Sequence, residues 1–503
     1  MIPPRRILTV IAVLLLLLAA GFMAQPQYRI FLVGDSTMAD KPLIDNPEHG
    51  WGQMFPLFLS KNVTVFNHAK NGRSTRSFLM EGRWDAVLNA LRPGDVVMIQ
   101  FGHNDAKKED TARFADAGTD YRNNLLRFVR DARSRGAVPI LLTPVNRRKY
   151  DSSGRFIDQH AGYPDAVREV ARSGNVPLID LHAASLRLFT ELGPERSKQY
   201  FLTSVPRGMY RTLPNGKDDN THFTRYGAVR IASLVAEQFR SLPVPAAQEV
   251  TVQGMPVLPA EGISVGLDLY YNNEWRTVRD TVKERYHYTW DDTTNSGFSR
   301  LAEIIDRAGG DPDTLQSAPT DSLLRRFSVY IIVDPDTPKE TALPNYVTPE
   351  QADAVERWVR GGGVLVLMGN DKGNAEFEHF NILAERFGIR FNEDMHQDVV
   401  NNRYDSGAVR QFPPHPLFTG VPYAFIKQFC SLTLQPPARE VLRARGAVVI
   451  AEAAVGSGRV LAVGDPWLYN EYLDNRRLPA GYENALAAEG FVRWLAFTAR
   501  KVR

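Results

Sequence analysis

Three short stretches of this chain carry the residue types that ester or amide hydrolysis needs. Gly34-Asp35-Ser36 closes one apolar run, Gly102-His103-Asn104-Asp105 closes another, and Asp219 stands three residues before His222. A serine on a sharp turn at the end of a core strand presents its hydroxyl on a rigid support, which suits a nucleophile. The same position also suits a helix cap, so Gly-Asp-Ser alone leaves both readings open. An aspartate three residues before a histidine at a helix entrance lies on the same side as the imidazole. That pairing fixes the tautomer and frees the other ring nitrogen to take a proton from serine. Ser36 therefore reads as nucleophile, His222 as general base and then general acid, and Asp219 as the orienting carboxylate. The backbone N–H groups of Ser36 and Gly72, with the Asn104 amide, would form the oxyanion hole. Each such donor is typically worth about 3 kcal/mol to the transition state.

These groups need a scaffold that brings them to one edge. From Tyr28 to about Leu242 the pattern alternates strand and helix. Apolar, β-branched runs predict strands at residues 28–33, 63–69, 95–101, 138–143 and 176–180. Amphipathic stretches at 84–91, 119–135, 164–172, 182–192 and 226–240 predict the helices between and after them. Near-continuous apolar strands separated by such helices imply an α/β domain with a parallel sheet covered on both faces. Ligands in such sheets sit beyond the carboxyl ends of the strands, where Ser36, Asn71-Gly72 and Gly102 to Asp105 all fall.

Length and composition set the frame. At 503 residues the chain should hold two or three domains, and 44% apolar with 23% charged residues is ordinary globular composition. A net charge of +3 makes no electrostatic case for nucleic-acid binding. Residues 1–24 join a basic head to an apolar run and predict a cleaved secretory signal or an uncleaved membrane anchor, hence a secreted or periplasmic protein, membrane-bound only in the anchored case. Cys430 is the only cysteine, which excludes an internal disulfide and a thiolate-built metal site. The expected order is a first domain over 25–242, a Pro- and Ala-containing linker over 243–262, and a second α/β domain over 263–503. In that second domain, strands are expected at 263–269, 329–333, 364–368, 448–451 and 459–463. Thr348-Pro349 opens a helix that Gly361-Gly-Gly363 ends.

Gly34-Asp-Ser36, Gly72, Asn104 and Asp219-x-x-His222 resemble the four blocks of the SGNH (GDSL-type) hydrolases. More narrowly, Val33-Gly-Asp-Ser-Thr-Met38, Gly50-Trp-Gly-Gln53, Asn71-Gly-Arg-Ser-Thr-Arg-Ser77, Gln100-Phe-Gly-His-Asn-Asp105 and Thr221-His222 resemble rhamnogalacturonan acetylesterases. The resemblance implies a flavodoxin-like three-layer fold, no metal and no cofactor. It also implies an acetylated polysaccharide as partner, losing O-acetyl groups from galacturonate residues of a pectic backbone. An SGNH esterase on a xylan-type polymer, or a lipid or thioester acyl hydrolase, is the alternative. Arg73 and Arg76 could meet uronate carboxylates, as guanidinium pairs well with them, or could be solvated surface charges. His103 joins them as a candidate substrate contact. Trp51 is either a sugar platform or a core residue.

In the second half, Gly362-Gly-Val-Leu-Val-Leu-Met-Gly369 and Gly458-Arg-Val-Leu-Ala-Val-Gly-Asp465 resemble a glutamine-amidotransferase-like, flavodoxin-type domain. The elbow expected to carry that family's cysteine is Met368-Gly-Asn-Asp371, with none, which implies a non-catalytic domain in that chemistry. Its strand ends carry Tyr271, Asn272, Asn273, Glu274, Asn370, Asp371, Asp465 and Trp467, a rim that could bind sugar or be ordinary loop composition.

Overall fold

The computed structural model describes residues 27–500 apart from Ala161, Arg211, Asp280, Asn402, Asn475, Arg476 and Ala480. The stretch 1–24, expected as a signal or an anchor, lies outside the described residues. Among those described, no helix is long and apolar enough to cross a membrane. The chain divides into two compact units, Met1–Lys41 with Pro47–Pro256 and Pro42–Asn46 with Val257–Arg503.

The first unit is built on five parallel strands. They are β1 (Tyr28–Gly34), β2 (Val63–Asn67), β3 (Val96–Gln100), β4 (Val138–Leu142) and β5 (Leu178–Ile179), in the order β2-β1-β3-β4-β5. Four lie within the apolar runs that predicted them, and β1 extends one residue past its run, to Gly34. One face of the sheet, with Phe31, Val33, Val97, Ile99 and Leu141, packs against apolar stripes of four helices. These are α1 (Thr75–Met80), α2 (Arg83–Ala90), α3 (Asp120–Ser134) and α4 (Tyr163–Ser173). The stripe of α3 is Tyr121, Leu125, Phe128, Val129 and Ala132, the spacing of one buried helical face. Ile30, Leu32 and Met98 point the other way and are equally buried, so both faces are covered. After β5 come α5 (Leu181–Arg196) and α6 (Arg225–Phe239). Gly193, at φ 69°, breaks α5 internally.

The stretch expected as a linker is partly structured. Pro245–Glu249 forms a 3₁₀ turn with Ala246 and Ala247 buried, and the Thr251 N–H donates to the Phe58 carbonyl at 2.9 Å. Proline and alanine pack there without the periodicity that would announce an element.

The second unit carries a seven-stranded mixed sheet. Its strands are β6 (Ser264–Asp268), β7 (Asp311–Leu315), β8 (Val329–Val333), β9 (Val364–Met368), β10 (Ala438–Ala444), β11 (Ala447–Val455) and β12 (Gly458–Val463). They run in the order β7-β6-β8-β9-β12-β11-β10. The first five in that order are parallel; β11 and β10 add on antiparallel. Alternate residues of β8 feed two cores, Val329, Ile331 and Val333 on one side and Tyr330 and Ile332 on the other. α7 (Ser299–Arg307) and α10 (Asn484–Arg500) cover the first face, α8 (Pro349–Arg360) and α9 (Phe377–Ala384) the second. Thr348 caps α8 in a reciprocal capping box with Gln351, and Pro349 takes the first helical position.

Candidate active site

Ser36 lies just past β1 in a turn closed by the Met38 and Ala39 N–H groups on the Asp35 carbonyl. It caps no helix. Its hydroxyl Oγ is 2.8 Å from His222 Nε2, and His222 Nδ1 is 2.7 Å from Asp219 Oδ2. Three side chains from two distant parts of the sequence thus form one continuous relay. The cap reading of Ser36 gives way to this geometry.

The second half of the relay is fixed by its own backbone. Asp219 Oδ1 accepts from the Thr221 N–H at 2.7 Å and the His222 N–H at 3.1 Å. The loop is clamped to Leu202 on both sides, Asp219 N–H to Leu202 carbonyl and Leu202 N–H to His222 carbonyl. Arg148 adds a further clamp, its N–H on the Asn220 carbonyl at 2.8 Å and its guanidinium on Asn220 Oδ1 at 2.9 Å. Burial alone would raise the Asp219 pKa. The His222 hydrogen bond and charge, with the two N–H donors, outweigh that and hold the carboxyl below the usual range. Asp219 is therefore an anion beside the imidazole, as an orienting carboxylate must be.

The turn that carries Ser36 rests on a buried network. Asp35 Oδ1 accepts from the Thr37 N–H and hydroxyl at 2.9 and 2.8 Å, and Asp35 Oδ2 lies 3.1 Å from His103 Nδ1. Gln100 links Thr37 Oγ1 to the indole N–H of Trp51, which is fully buried and so belongs to the core. Burial again works to raise the Asp35 pKa, and His103 and Thr37 more than reverse it. Asp105, the end of the third block, is different. Its Oδ1 holds the N–H and hydroxyl of Thr75 at the start of α1, but Oδ2 has no partner, and burial pushes its pKa up to about 7.

The oxyanion candidates are arranged as follows. Gly72 has φ 76°, a left-handed conformation that glycine adopts at little cost. Neither the Ser36 nor the Gly72 amide N–H donates to an acceptor among the described residues. Asn104 is buried; its Nδ2 donates to the Arg73 carbonyl at 3.0 Å and its Oδ1 accepts from Arg113 Nη1 at 3.4 Å. One of its two amide hydrogens is thereby used for positioning.

The substrate-contact expectations fare unevenly. Arg73 is engaged by Glu81 at 3.0 Å and by the Asn71 carbonyl at 2.9 Å. Arg76 is exposed and only loosely paired, 3.6 Å from Asp120. His103 is corrected outright: only 2% exposed, it cannot meet a ligand from solvent and instead supports Asp35. Its ring packs edge-on against His160 at 4.6 Å. Arg113 and Arg147 were not picked out by sequence reasoning. Arg113 lies beside Gly72 and Asn104, while Arg147 donates to the His103 carbonyl at 3.0 Å and feels the charges of Asp35 and Asp219. Arg147-Arg148 directly follow Thr143-Pro-Val-Asn146 at the end of β4, and that strand-end position was the available signal.

Comparison with known proteins covers this unit. Residues 32–230 match the model of the GDSL-like lipase/acylhydrolase family. The chain is 41% identical over 223 residues to rhamnogalacturonan acetylesterase RhgT of Bacillus subtilis, covering 94% of that protein and 44% of this chain. The chain belongs to the GDSL-like lipase/acylhydrolase family. This esterase is also 38% identical over 221 residues to the probable rhamnogalacturonan acetylesterase YesY of the same organism, covering 96% of it and 44% of this chain. A crystal structure of the protein YxiM of Bacillus subtilis aligns with TM-score 0.37 and 28% identity, over 42% of this chain and 56% of that one.

Proposed function

We propose that this esterase removes acetyl groups from a pectic polysaccharide of the rhamnogalacturonan type through an acetyl-enzyme on Ser36. The observation that carries the mechanism is the unbroken Ser36–His222–Asp219 relay, with distances of 2.8 and 2.7 Å. In the first half-reaction His222 Nε2 takes the Ser36 proton as Oγ bonds to the acetyl carbon. The charge that develops on the carbonyl oxygen is met by the Ser36 and Gly72 N–H groups and the remaining Asn104 amide hydrogen. The bond to the sugar oxygen breaks, and that oxygen takes the proton from His222. A water then adds to the acetyl carbon, again giving its proton to His222, and acetate leaves as Ser36 regains the proton.

The substrate reading is supported by the relatives named as rhamnogalacturonan acetylesterases and by cationic side chains around the relay. Of the two arginines beside Gly72, Arg76 is the more exposed and the less firmly paired, and so the better placed to meet a uronate carboxylate. The basic head and apolar run at 1–24 support action outside the cytoplasm, where such polymers are found. Acetate release across acetylated rhamnogalacturonan, acetylated xylan and long-chain aryl esters tests the assignment. Preference for the first is expected. Preference for xylan would overturn the pectic substrate, and preference for long acyl chains would overturn the carbohydrate reading.

A further inference from the structure

The carboxyl edge of the second sheet gathers buried acid. Glu274 follows β6, Asp334 and Asp336 follow β8, and Asp465 follows β12; they are 4%, 2%, 1% and 0% exposed. Hydrogen bonding satisfies some of their oxygens. Asp336 Oδ2 holds the Asn273 N–H at 3.0 Å, and Asp465 Oδ1 holds the Trp467 N–H at 2.7 Å. Asp334 is the exception: the Asn370 amide lies near it, but no hydrogen bond of normal geometry reaches either of its oxygens. An ionised carboxylate buried without a partner costs several kcal/mol, so such a group must either keep a proton or meet a cation.

What faces Asp334 is a donor set. His287 Nδ1 is 3.5 Å from Asp334 Oδ2 and contacts Glu274 Oε1 directly. One ligand atom from each of Glu274, His287 and Asp334 lies within 4.8 Å of the other two, and donors about 2.1 Å from one ion are at most about 4.2 Å apart, so the trio shares an ion once the direct His287–Glu274 contact opens to admit it. Two of the three donors sit on non-glycine residues in the left-handed region, His287 at φ 65° and Asp334 at φ 47°. Such backbone is costly and is held by its surroundings.

We infer that Glu274, His287 and Asp334 bind one divalent transition-metal cation of the Mn²⁺ or Zn²⁺ class. Two carboxylates balance its charge, and the imidazole nitrogen disfavours Ca²⁺ and Mg²⁺, which prefer all-oxygen sites. Thiolate does not enter, since Cys430 is buried with its Sγ on the Gly464 carbonyl at 3.1 Å. The His287 side chain is 21% exposed, which gives the ion a way in from solvent. The site lies at the strand ends where open α/β sheets take their ligands.

The test uses the full chain, stripped with chelator, dialysed against Mn²⁺ or Zn²⁺ and read for metal content and melting temperature. The first unit has its own convergent trio, Asp158, His160 and His182, so assignment rests on variants. Asp334→Asn and Glu274→Gln should each lose one metal equivalent and the associated rise in melting temperature, whereas His182→Asn should keep both. Affinity at this site should fall by more than the roughly 10–100-fold that loss of an outer-shell partner costs. Wild-type metal content in both variants would overturn the proposal, as would wild-type protein that takes up neither ion at millimolar concentration. Should a variant fail to fold, anomalous diffraction from Mn²⁺-soaked wild-type crystals decides the matter. A peak between the three donors is expected, and its absence there contradicts the site.

Discussion

The carboxyl edges of the two sheets use buried carboxylates in opposite ways. At the first edge Asp35 and Asp219 are each held by an imidazole and by backbone N–H or hydroxyl donors, and both are kept ionised. At the second edge Asp334 is about as buried as Asp35, but no well-formed hydrogen bond reaches either of its oxygens, and burial pushes its pKa up in spite of the nearby Asn370 amide. In the first arrangement the protein itself supplies the donors to Asp35 and Asp219. The second needs a proton on Asp334 or the cation inferred above. A shared α/β plan therefore places groups at an edge, and local donors decide what the edge does.

Breaking the first edge should show a graded loss. Ser36→Ala should lower kcat by about 10⁶-fold, since a serine relay acts as a unit. An aryl-acetate assay in the same buffer reads it. Asp219→Asn should cost about 10⁴-fold through loss of tautomer control. Asn104→Ala should cost about 10²–10³-fold, largely in kcat, as expected for one oxyanion donor. Arg76→Ala should raise KM on acetylated rhamnogalacturonan by no more than about fivefold, the reach of an exposed ion pair, and leave KM on a neutral acetylated xylan unchanged. Equal effects on both polymers would remove Arg76 from uronate recognition.

One carboxylate of the first edge departs from that pattern and sharpens the comparison. The folded pKa of Asp105 is raised to about 7, above its unfolded value near 3.9, so the folded state holds the extra proton between those values. Its contribution to stability is full below the unfolded pKa and is lost as pH rises through about 7. Asp105→Asn keeps an oxygen for Thr75 and removes the titration. The variant should gain on wild type in urea midpoint from pH 4 to pH 8. An unchanged difference would contradict the assignment. Asp219 works in the other direction. Its depressed pKa makes its contribution full above about 3.9, with loss only as pH falls through the folded value.

Much of this was legible in the chain. The strands at 329–333 and 364–368 match to the residue because β-branched runs there end at Asp334 and Gly369. Thr348-Pro349 marks the α8 start through cap chemistry. The relay was legible because each member stands at a strand end or helix entrance. The direction of a side chain was not. Gly102, at φ 143°, adopts a backbone conformation no sequence pattern announces, and the following His103 turns into the protein and not toward the rim. The edge strands β7 and β10 were missed because Asp-Pro-Asp-Thr-Leu and Ala-Arg-Glu-Val-Leu-Arg-Ala lack a buried run. Glu274 was visible as a rim residue, but His287 and Asp334 meet it only because β6 and β8 are neighbours in the sheet.

Everything proposed for the first edge depends on Ser36 carrying the acetyl group. Rapid acid quench of the enzyme with acetylated rhamnogalacturonan, followed by peptide mass spectrometry, examines this directly. A 42-dalton acetyl adduct on Ser36 (the mass that acetylation adds to any hydroxyl), absent in Ser36→Ala together with acetate release, is the expected result. Acetate release that persists in Ser36→Ala would contradict it.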